Sequence, residues 1–222
     1  MTTLAIVGAG RGLGLSAARR FGREGFDVAL ISRHQEPIDE LAADLTQQGI
    51  TARGYTANVR DARSLISTLD RVAQELGPIE VLQYSPLPQK EFLRPVLETT
   101  VEDLLGAVEF SIYGPVAAVH QVLQGMRSLG RGSLLFVNGG SGARPNPNVA
   151  GTSIAFAGES AFARMLHDTI AEDNIRVRQL IIPGAIAPGH ETHDPDKIAD
   201  LLWQLHNEPG DFRVYVEPMP DA

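Results

Sequence analysis

Four closely spaced glycines near the start of the chain have the spacing of a phosphate-binding turn. They lie within Gly8-Ala9-Gly10-Arg11-Gly12-Leu13-Gly14, directly after the apolar run Leu4-Ala5-Ile6-Val7, and a helical pattern follows them. Glycines permit positive φ and let backbone N–H groups approach a pyrophosphate, which a helix N-terminus also attracts. We therefore expect Gly8, Gly10, Arg11, Gly12, Leu13 and Gly14 to bind a dinucleotide. The alternative is an ordinary structural turn.

The residues after the second apolar run bear on which dinucleotide binds. Ser32 and Arg33 follow Val28-Ala29-Leu30-Ile31, and no acidic residue comes before Glu36. An acid near this point binds the ribose hydroxyls of NAD, whereas arginine binds the 2′-phosphate of NADP through paired N–H groups. Arg11 can approach the same phosphate. These residues favour NADP(H) over NAD(H), unless Arg33 is simply a solvated loop residue.

The composition excludes several other kinds of chemistry. The chain has no cysteine, so it can form neither a thiol nucleophile nor a disulfide. Its net charge of −8 argues against a nucleic-acid partner. No run of 18 apolar residues predicts a membrane span. The first residues show no basic segment followed by a cleavable apolar stretch, and we expect a cytoplasmic protein.

One short run is rich in side chains that can bind metals. It reads His190-Glu191-Thr192-His193-Asp194 and lies between Gly189 and Pro195. Flanking glycine and proline are typical of a polar surface loop, so we predict no metal site here.

Apolar strand-like runs alternate with helical patterns along the whole chain. The predicted strands are 3–8, 27–32, 51–57, 79–84, 132–138, 175–182 and 212–216, and the predicted helices are 12–24, 36–48, 61–76, 100–128, 150–172 and 195–206. Such alternation predicts an α/β fold: a doubly wound parallel sheet of about seven strands with helices on both faces. We expect residues 1–222 to form one domain. Ligands of such sheets bind beyond the carboxyl ends of the strands.

These features resemble the short-chain dehydrogenase/reductase family. Asn58-Val59 is similar to the family's Asp-Val pair beside the adenine, and Pro183-Gly184 resembles the Pro-Gly that borders the nicotinamide. Ser85 is a further candidate cofactor contact. The resemblance implies a Rossmann fold and oxidoreductase activity on a small carbonyl or alcohol. It also implies a homodimer or homotetramer formed through the helices predicted at 100–128 and 150–172.

The active site departs from the family pattern. Aligned with the family's Asn, Ser, Tyr and Lys are Ser111, Gly139, Thr152 and Phe156. None of the four tyrosines has lysine at the fourth position after it. A threonine hydroxyl has a pKa too high to exchange protons near neutrality, and a positioned general acid contributes about 10²–10⁴ in rate. The missing pair therefore bears directly on activity.

Four residues are candidates for the missing groups: Tyr84, Asn138, Ser141 and Thr152. Tyr84 ends the predicted fourth strand, and the alternative for its ring is packing as a core residue. Asn138 and Ser141 also suit a glycine-rich bend. Two functions stay open. One is an NADP(H)-dependent oxidoreductase with an unorthodox active site, and the other is a non-catalytic NADP(H)-binding sensor or scaffold protein.

Overall fold

A seven-stranded parallel sheet lies at the centre of the computed structural model, which describes residues 2–219. The strands are β1 Thr3–Val7, β2 Asp27–Ser32, β3 Ala52–Thr56, β4 Ile79–Tyr84, β5 Gly132–Gly139, β6 Ile175–Ile182 and β7 Arg213–Tyr215. Their order is β3-β2-β1-β4-β5-β6-β7, with parallel pairing throughout. Strand order reverses between β1 and β4, which makes the crevice at their carboxyl ends the expected ligand site.

Helices cover both faces of this sheet. They are α1 Leu13–Arg23, α2 Gln35–Gln47, α3 Ala62–Leu76, α4 Val101–Val108, α5 Gly114–Leu129, α6 Ala150–Thr169 and α7 Pro195–Asn207. The core on one face includes residues of α3, α4, α5 and α6, and the core on the other includes residues of α1, α2 and α7. The predicted doubly wound α/β fold is confirmed. Among residues 2–219, no helix is long and apolar enough to cross a membrane.

The alternating direction of strand side chains explains why the strands are continuously apolar. In β1, Leu4 and Ile6 belong to the core beneath α1, whereas Ala5 and Val7 belong to the core beneath α3. All four side chains are fully buried. A strand that is buried on both faces needs apolar residues at every position, not at alternate ones.

The helix predicted at 100–128 is not one regular α-helix. α4 and α5 are joined by a π-helical turn, Glu109–Tyr113. Pro115 lacks the N–H group that would bond to the carbonyl of Ser111, which removes one i→i−4 bond of a regular helix. The adjacent Phe110 carbonyl accepts a hydrogen bond from the Tyr84 hydroxyl at 2.6 Å. Both effects favour a wider local turn, and such turns often lie at functional sites.

The helix predicted at 150–172 is also shorter than expected. α6 ends at Thr169, and a 3₁₀ turn, Ala171–Asp173, follows it. Asn174 then adopts the left-handed conformation, with φ of +54°, and directs the chain into β6. This conformation is one that asparagine tolerates better than most residues.

Gly8 provides a test of the fold at the crevice. Its φ is +91°, and a Cβ atom there would lie 2.3 Å from the Cα of Pro86. We expect Gly8→Ala to lower the free energy of unfolding by more than about 2 kcal/mol, because a left-handed alanine and a main-chain clash are both unfavourable. Urea denaturation measures this loss.

Gly10→Ala is the matched control in the same turn. A Cβ at Gly10 meets no atom within 4 Å, and its φ is not positive. We expect a change in unfolding free energy within about 0.5 kcal/mol. Equal destabilisation by the two substitutions would contradict the close approach of Gly8 to Pro86, just after β4.

Candidate functional site

The glycine turn lies between β1 and α1 at the carboxyl edge of the sheet. The N–H groups of Gly8 and Ala9 donate to the Ile31 carbonyl at 2.9 and 3.0 Å, which holds the turn against β2. Gly12 is the N-cap of α1, no side chain caps the helix, and its first turn carries no acid. A Cβ at Gly14 would lie 3.0 Å from the Cα of Ala9, so helix and turn pack closely. The helix N-terminus is therefore open to an anion such as a pyrophosphate.

A cleft lies beyond the carboxyl ends of β2 and β3. It has a volume of about 320 Å³ and is lined by Arg33, Thr56, Ala57, Asn58 and Ser64. The Ala57 N–H donates to the Ser32 carbonyl at 2.9 Å, which joins the two strand ends. The Asn58 side chain accepts a hydrogen bond from the Arg60 N–H at 3.1 Å.

The two arginines proposed for a 2′-phosphate have different surroundings. Arg33 is exposed and, within residues 2–219, makes no side-chain hydrogen bond or ion pair. Arg11 is also exposed, but its guanidinium group pairs with Glu40 of α2. Arg33 is thus the cation that is available at the cleft, while Arg11 would have to leave a carboxylate.

The remaining predicted cofactor contacts follow β3, β4 and β6. Val59 is buried beside exposed Asn58. The Ser85 N–H donates to the Val7 carbonyl at 2.9 Å, next to the glycine turn. The Pro183 carbonyl accepts a hydrogen bond from His193, and Gly184 has a φ of +89°. These residues therefore share the carboxyl edge of the sheet with the glycine turn.

Three of the four catalytic candidates are buried: Tyr84, Asn138 and Thr152. The Tyr84 side chain is only 2% exposed, and its hydroxyl donates to the Phe110 carbonyl. Burial, together with the charge of Glu159, raises the pKa of Tyr84 well above its ordinary value. Asn138 is also buried, and both ends of its amide are hydrogen-bonded to interior side chains. Neither polar group points to a space where substrate can bind.

Buried Thr152 and half-buried Ser141 lie together near the carboxyl end of β5. The Ser141 hydroxyl is 3.4 Å from that of Thr152, which in turn donates to the Val149 carbonyl at 3.1 Å. Phe156, one turn later on α6, is buried. Gly139 is exposed, and a Cβ there would meet no atom within 4 Å. The edge of the sheet is thus open at Gly139, whereas the Thr152 hydroxyl nearby is buried.

A buried carboxyl group beneath this edge was not among the predicted site residues. Glu159 of α6 is 1% exposed, and its Oε1 atom accepts a hydrogen bond from Asn138 Nδ2 at 3.2 Å. Burial raises its pKa to about 8, although hydrogen bonds from Asn138 and Ser111 oppose that shift. Its one signal in the sequence is that it is the only charged residue within 150–163.

The histidine-rich run is only partly the surface loop that was predicted. His193 is buried, with its Nε2 atom against the Pro183 carbonyl and its Nδ1 atom 2.9 Å from the Thr192 hydroxyl. The surface-loop prediction is wrong for His193, because this ring connects the loop to the end of β6. In the part of the chain that the structure describes, no group of three or more acidic or histidine side chains is arranged to hold a metal ion.

Comparison with known proteins shows which family this chain is similar to. The family model for short chain dehydrogenase matches residues 2–198. A 2,3-dihydro-2,3-dihydroxybenzoate dehydrogenase of Bacillus subtilis (strain 168) is 27% identical over 182 residues, which are 81% of this chain and 68% of that protein. A protein described as a putative ketoacyl reductase of Streptomyces coelicolor is 26% identical, covering 96% of this chain and 84% of its own.

Solved structures share the fold. A short-chain dehydrogenase from Rhodopseudomonas palustris superposes with a TM-score of 0.86 at 24% identity, covering 98% of this chain and 99% of that one. A metagenomic short-chain oxidoreductase in complex with NADP has a TM-score of 0.84 at 19% identity, covering 98% of both chains. With the family match extending over most of its length, this chain belongs to the short-chain dehydrogenase family.

Proposed function

We propose that the protein is an NADP(H)-dependent oxidoreductase that acts on a small carbonyl, alcohol or activated alkene. The family and its relatives support oxidoreductase chemistry. The choice of cofactor depends on one observation, the exposed Arg33 guanidinium at the cleft beside Asn58. A guanidinium without a protein partner suits a phosphate, whose oxygens accept its paired N–H groups.

In this proposal, the chain's own residues bind and orient the cofactor in three places. The open N-terminus of α1, after Gly8 and Gly12, holds the pyrophosphate, Arg33 holds the 2′-phosphate, and Pro183-Gly184 borders the nicotinamide. When bound in reduced form, the nicotinamide supplies a hydride. Gly8 and Gly14 support this placement, since both pack too closely for a larger residue at these two points of the turn.

We further propose that the site operates without the family's tyrosine and lysine. Thr152 and Phe156 occupy the corresponding places, and the Thr152 hydroxyl already donates to Val149. Open space above exposed Gly139 lets water reach the edge, so solvent would supply the proton that a reduced carbonyl needs. The loss of a positioned acid predicts slow turnover, by about 10²–10⁴ relative to a complete site.

The alternative is a non-catalytic NADP(H)-binding sensor or scaffold. The enclosed hydroxyl of Tyr84 and the fully bonded amide of Asn138 favour it, because neither can act on a substrate. Both functions require cofactor binding, so turnover separates them. Oxidation of NADPH in the presence of a panel of aldehydes, ketones and enones would support the enzyme; tight NADPH binding without any turnover would support the sensor.

Arg33→Ala tests the choice of cofactor. Hydrogen bonds to charged groups contribute about 1.5–3 kcal/mol, so we expect the Kd for NADPH to rise by about 10- to 100-fold with little change for NADH. Calorimetric titration with each cofactor in one buffer measures both. Arg23→Ala is the control, since Arg23 is likewise exposed but ends α1 away from the cleft. Equal losses for NADPH and NADH would rule out a 2′-phosphate contact.

Tyr84→Phe tests whether this tyrosine is a surrogate acid. Its hydroxyl contacts the π-helical turn in the interior, so we expect any turnover to stay within about twofold of the wild type. The unfolding free energy should fall by about 1 kcal/mol through the lost hydrogen bond to Phe110. A 100-fold loss of kcat in a folded variant would place Tyr84 in the mechanism after all.

We also propose a homodimer or homotetramer through the helices around 100–128 and 150–172. Exposed apolar side chains on both support this arrangement: Leu105, Tyr113, Ile154 and Met165. Sedimentation of the wild type should give a dimer or tetramer, and Leu105→Glu with Met165→Glu should shift it to monomer, because charges in an apolar interface lose solvation. A monomeric wild type would refute the proposal.

A further inference from the structure

We propose that Glu159 is a positioning residue of the candidate site, whose carboxyl group joins α6 to the π-helical turn and to the carboxyl end of β5. The inference rests on the proposed binding of NADP(H) at this edge and adds a pH-dependent control of it. Glu159 touches neither the cleft at Arg33 nor the glycine turn, so its effect must pass through the residues that it holds.

The contacts of Glu159 place it directly under the open edge. Asn138, which donates to its Oε1 atom, immediately precedes exposed Gly139. Ser111, its other hydrogen-bond partner, lies in the turn Glu109–Tyr113. All three side chains are buried. The carboxyl group of Glu159 on α6 thus lies between the end of β5 and the π-helical turn.

The polarity of this network is determined from its far end. Arg213 of β7 can only donate, and its Nε atom donates to Gln179 Oε1 at 2.8 Å. The Gln179 amide must then direct its Nε2 atom to Asn138 Oδ1, at 2.8 Å. Asn138 is left with its Nδ2 atom toward Glu159, which can only accept there. The carboxyl group therefore completes a chain of oriented hydrogen bonds, not an isolated contact.

No cation compensates a negative charge at Glu159. Among residues 2–219 it forms no ion pair within 4 Å, and Tyr84 on β4 is the titratable group whose charge it influences. Three charged side chains on the elements packed around it have partners of their own: Glu109 pairs with Arg60, Asp103 with Arg94, and Arg213 binds Gln179 and Ser160. Lys90 and Glu102 on these elements are exposed. An ionised Glu159 would be an unpaired buried charge, which is strongly unfavourable.

The sign of the pH effect follows from the raised pKa. Glu159 loses its proton near pH 8 when folded but near its ordinary value of 4.5 when unfolded. The folded state therefore binds more protons between these values, and the stability that Glu159 contributes is lost as pH rises from about 4.5 to 8. In this proposal, only the neutral form of Glu159 holds the site in its binding conformation. With a pKa of about 8, the neutral fraction at pH 9.5 is about 3%. The Kd for NADPH at pH 9.5 is then about 30-fold higher than at pH 7.

The decisive measurement is the ratio of the NADPH Kd at pH 9.5 to that at pH 7, at constant ionic strength. We expect a ratio of about 30 for the wild type and below about 2 for Glu159→Gln, because the amide stays neutral and still accepts from Asn138. Glu80→Gln is the matched control: Glu80 is also a buried carboxylate, but it pairs with Arg131 at 2.9 Å near the start of β4. It should keep the wild-type ratio. An unchanged ratio in Glu159→Gln, or a wild-type ratio near 1, overturns the proposal.

A second measurement separates this inference from the proposed function. If the wild type binds no NADPH at pH 7, the proposed function fails, and infrared spectroscopy then decides the state of Glu159. We expect the carbonyl stretch of a protonated carboxylic acid at pH 7, its loss by pH 9.5, and its absence from Glu159→Gln. Thermal stability should decline from pH 5 to 9 in the wild type and Glu80→Gln, but not in Glu159→Gln. Absence of the carboxylic-acid band from the wild type at pH 7 overturns the inference. This readout needs only the wild type, so it decides the matter even if Glu159→Gln fails to fold.

Discussion

Burial of the parallel sheet on both faces is the constraint on which the rest of this molecule depends. Helices cover the strands from either side, so the side chains packed between helices and sheet are mainly apolar. Ligands of such a sheet bind at the edge where the strands end. The glycine turn after β1, Ser85 after β4, Gly139 at the end of β5 and Pro183-Gly184 after β6 meet at that edge for this reason. Parallel pairing brings residues together that are up to 176 positions apart in the sequence.

The helix α6 connects this edge to the interior. It begins beside the hydroxyl groups of Ser141 and Thr152 and runs back along the sheet, with Phe156 and then Glu159 on its buried side. The second turn carries the ring of Phe156, and the third carries the carboxyl group of Glu159, whose pKa is raised by burial. The interior beneath the edge therefore contains a chain of hydrogen-bonded side chains that leads from Glu159 to Arg213. Such an arrangement stabilises geometry better than it stabilises a developing anion.

The same contacts give the π-helical turn a physical role. Tyr84 extends from the end of β4 to the Phe110 carbonyl, and Gly114 leaves the space that its hydroxyl occupies, since a Cβ there would lie 2.3 Å from it. Pro115 removes the helical bond to the adjacent Ser111 carbonyl. These contacts hold together β4, the π-helical turn and α6 around one buried polar cluster. In our proposal, the shape of the edge above depends on that cluster remaining neutral.

Local pattern by itself determined the class of this protein. Runs such as Val28-Ala29-Leu30-Ile31 indicated strands buried on both faces, and the glycine spacing indicated a turn before a helix. Element type and approximate strand number followed, because they depend on neighbours within a few residues, and short motifs carried the resemblance to the family. The partners of Tyr84, Asn138 and Glu159 did not follow, since they lie 21 to 48 residues away along the chain. Only the tertiary structure decided which hydroxyls are buried, which amide is already bonded and which carboxyl has a raised pKa, because burial and hydrogen bonding act through space and not along the sequence.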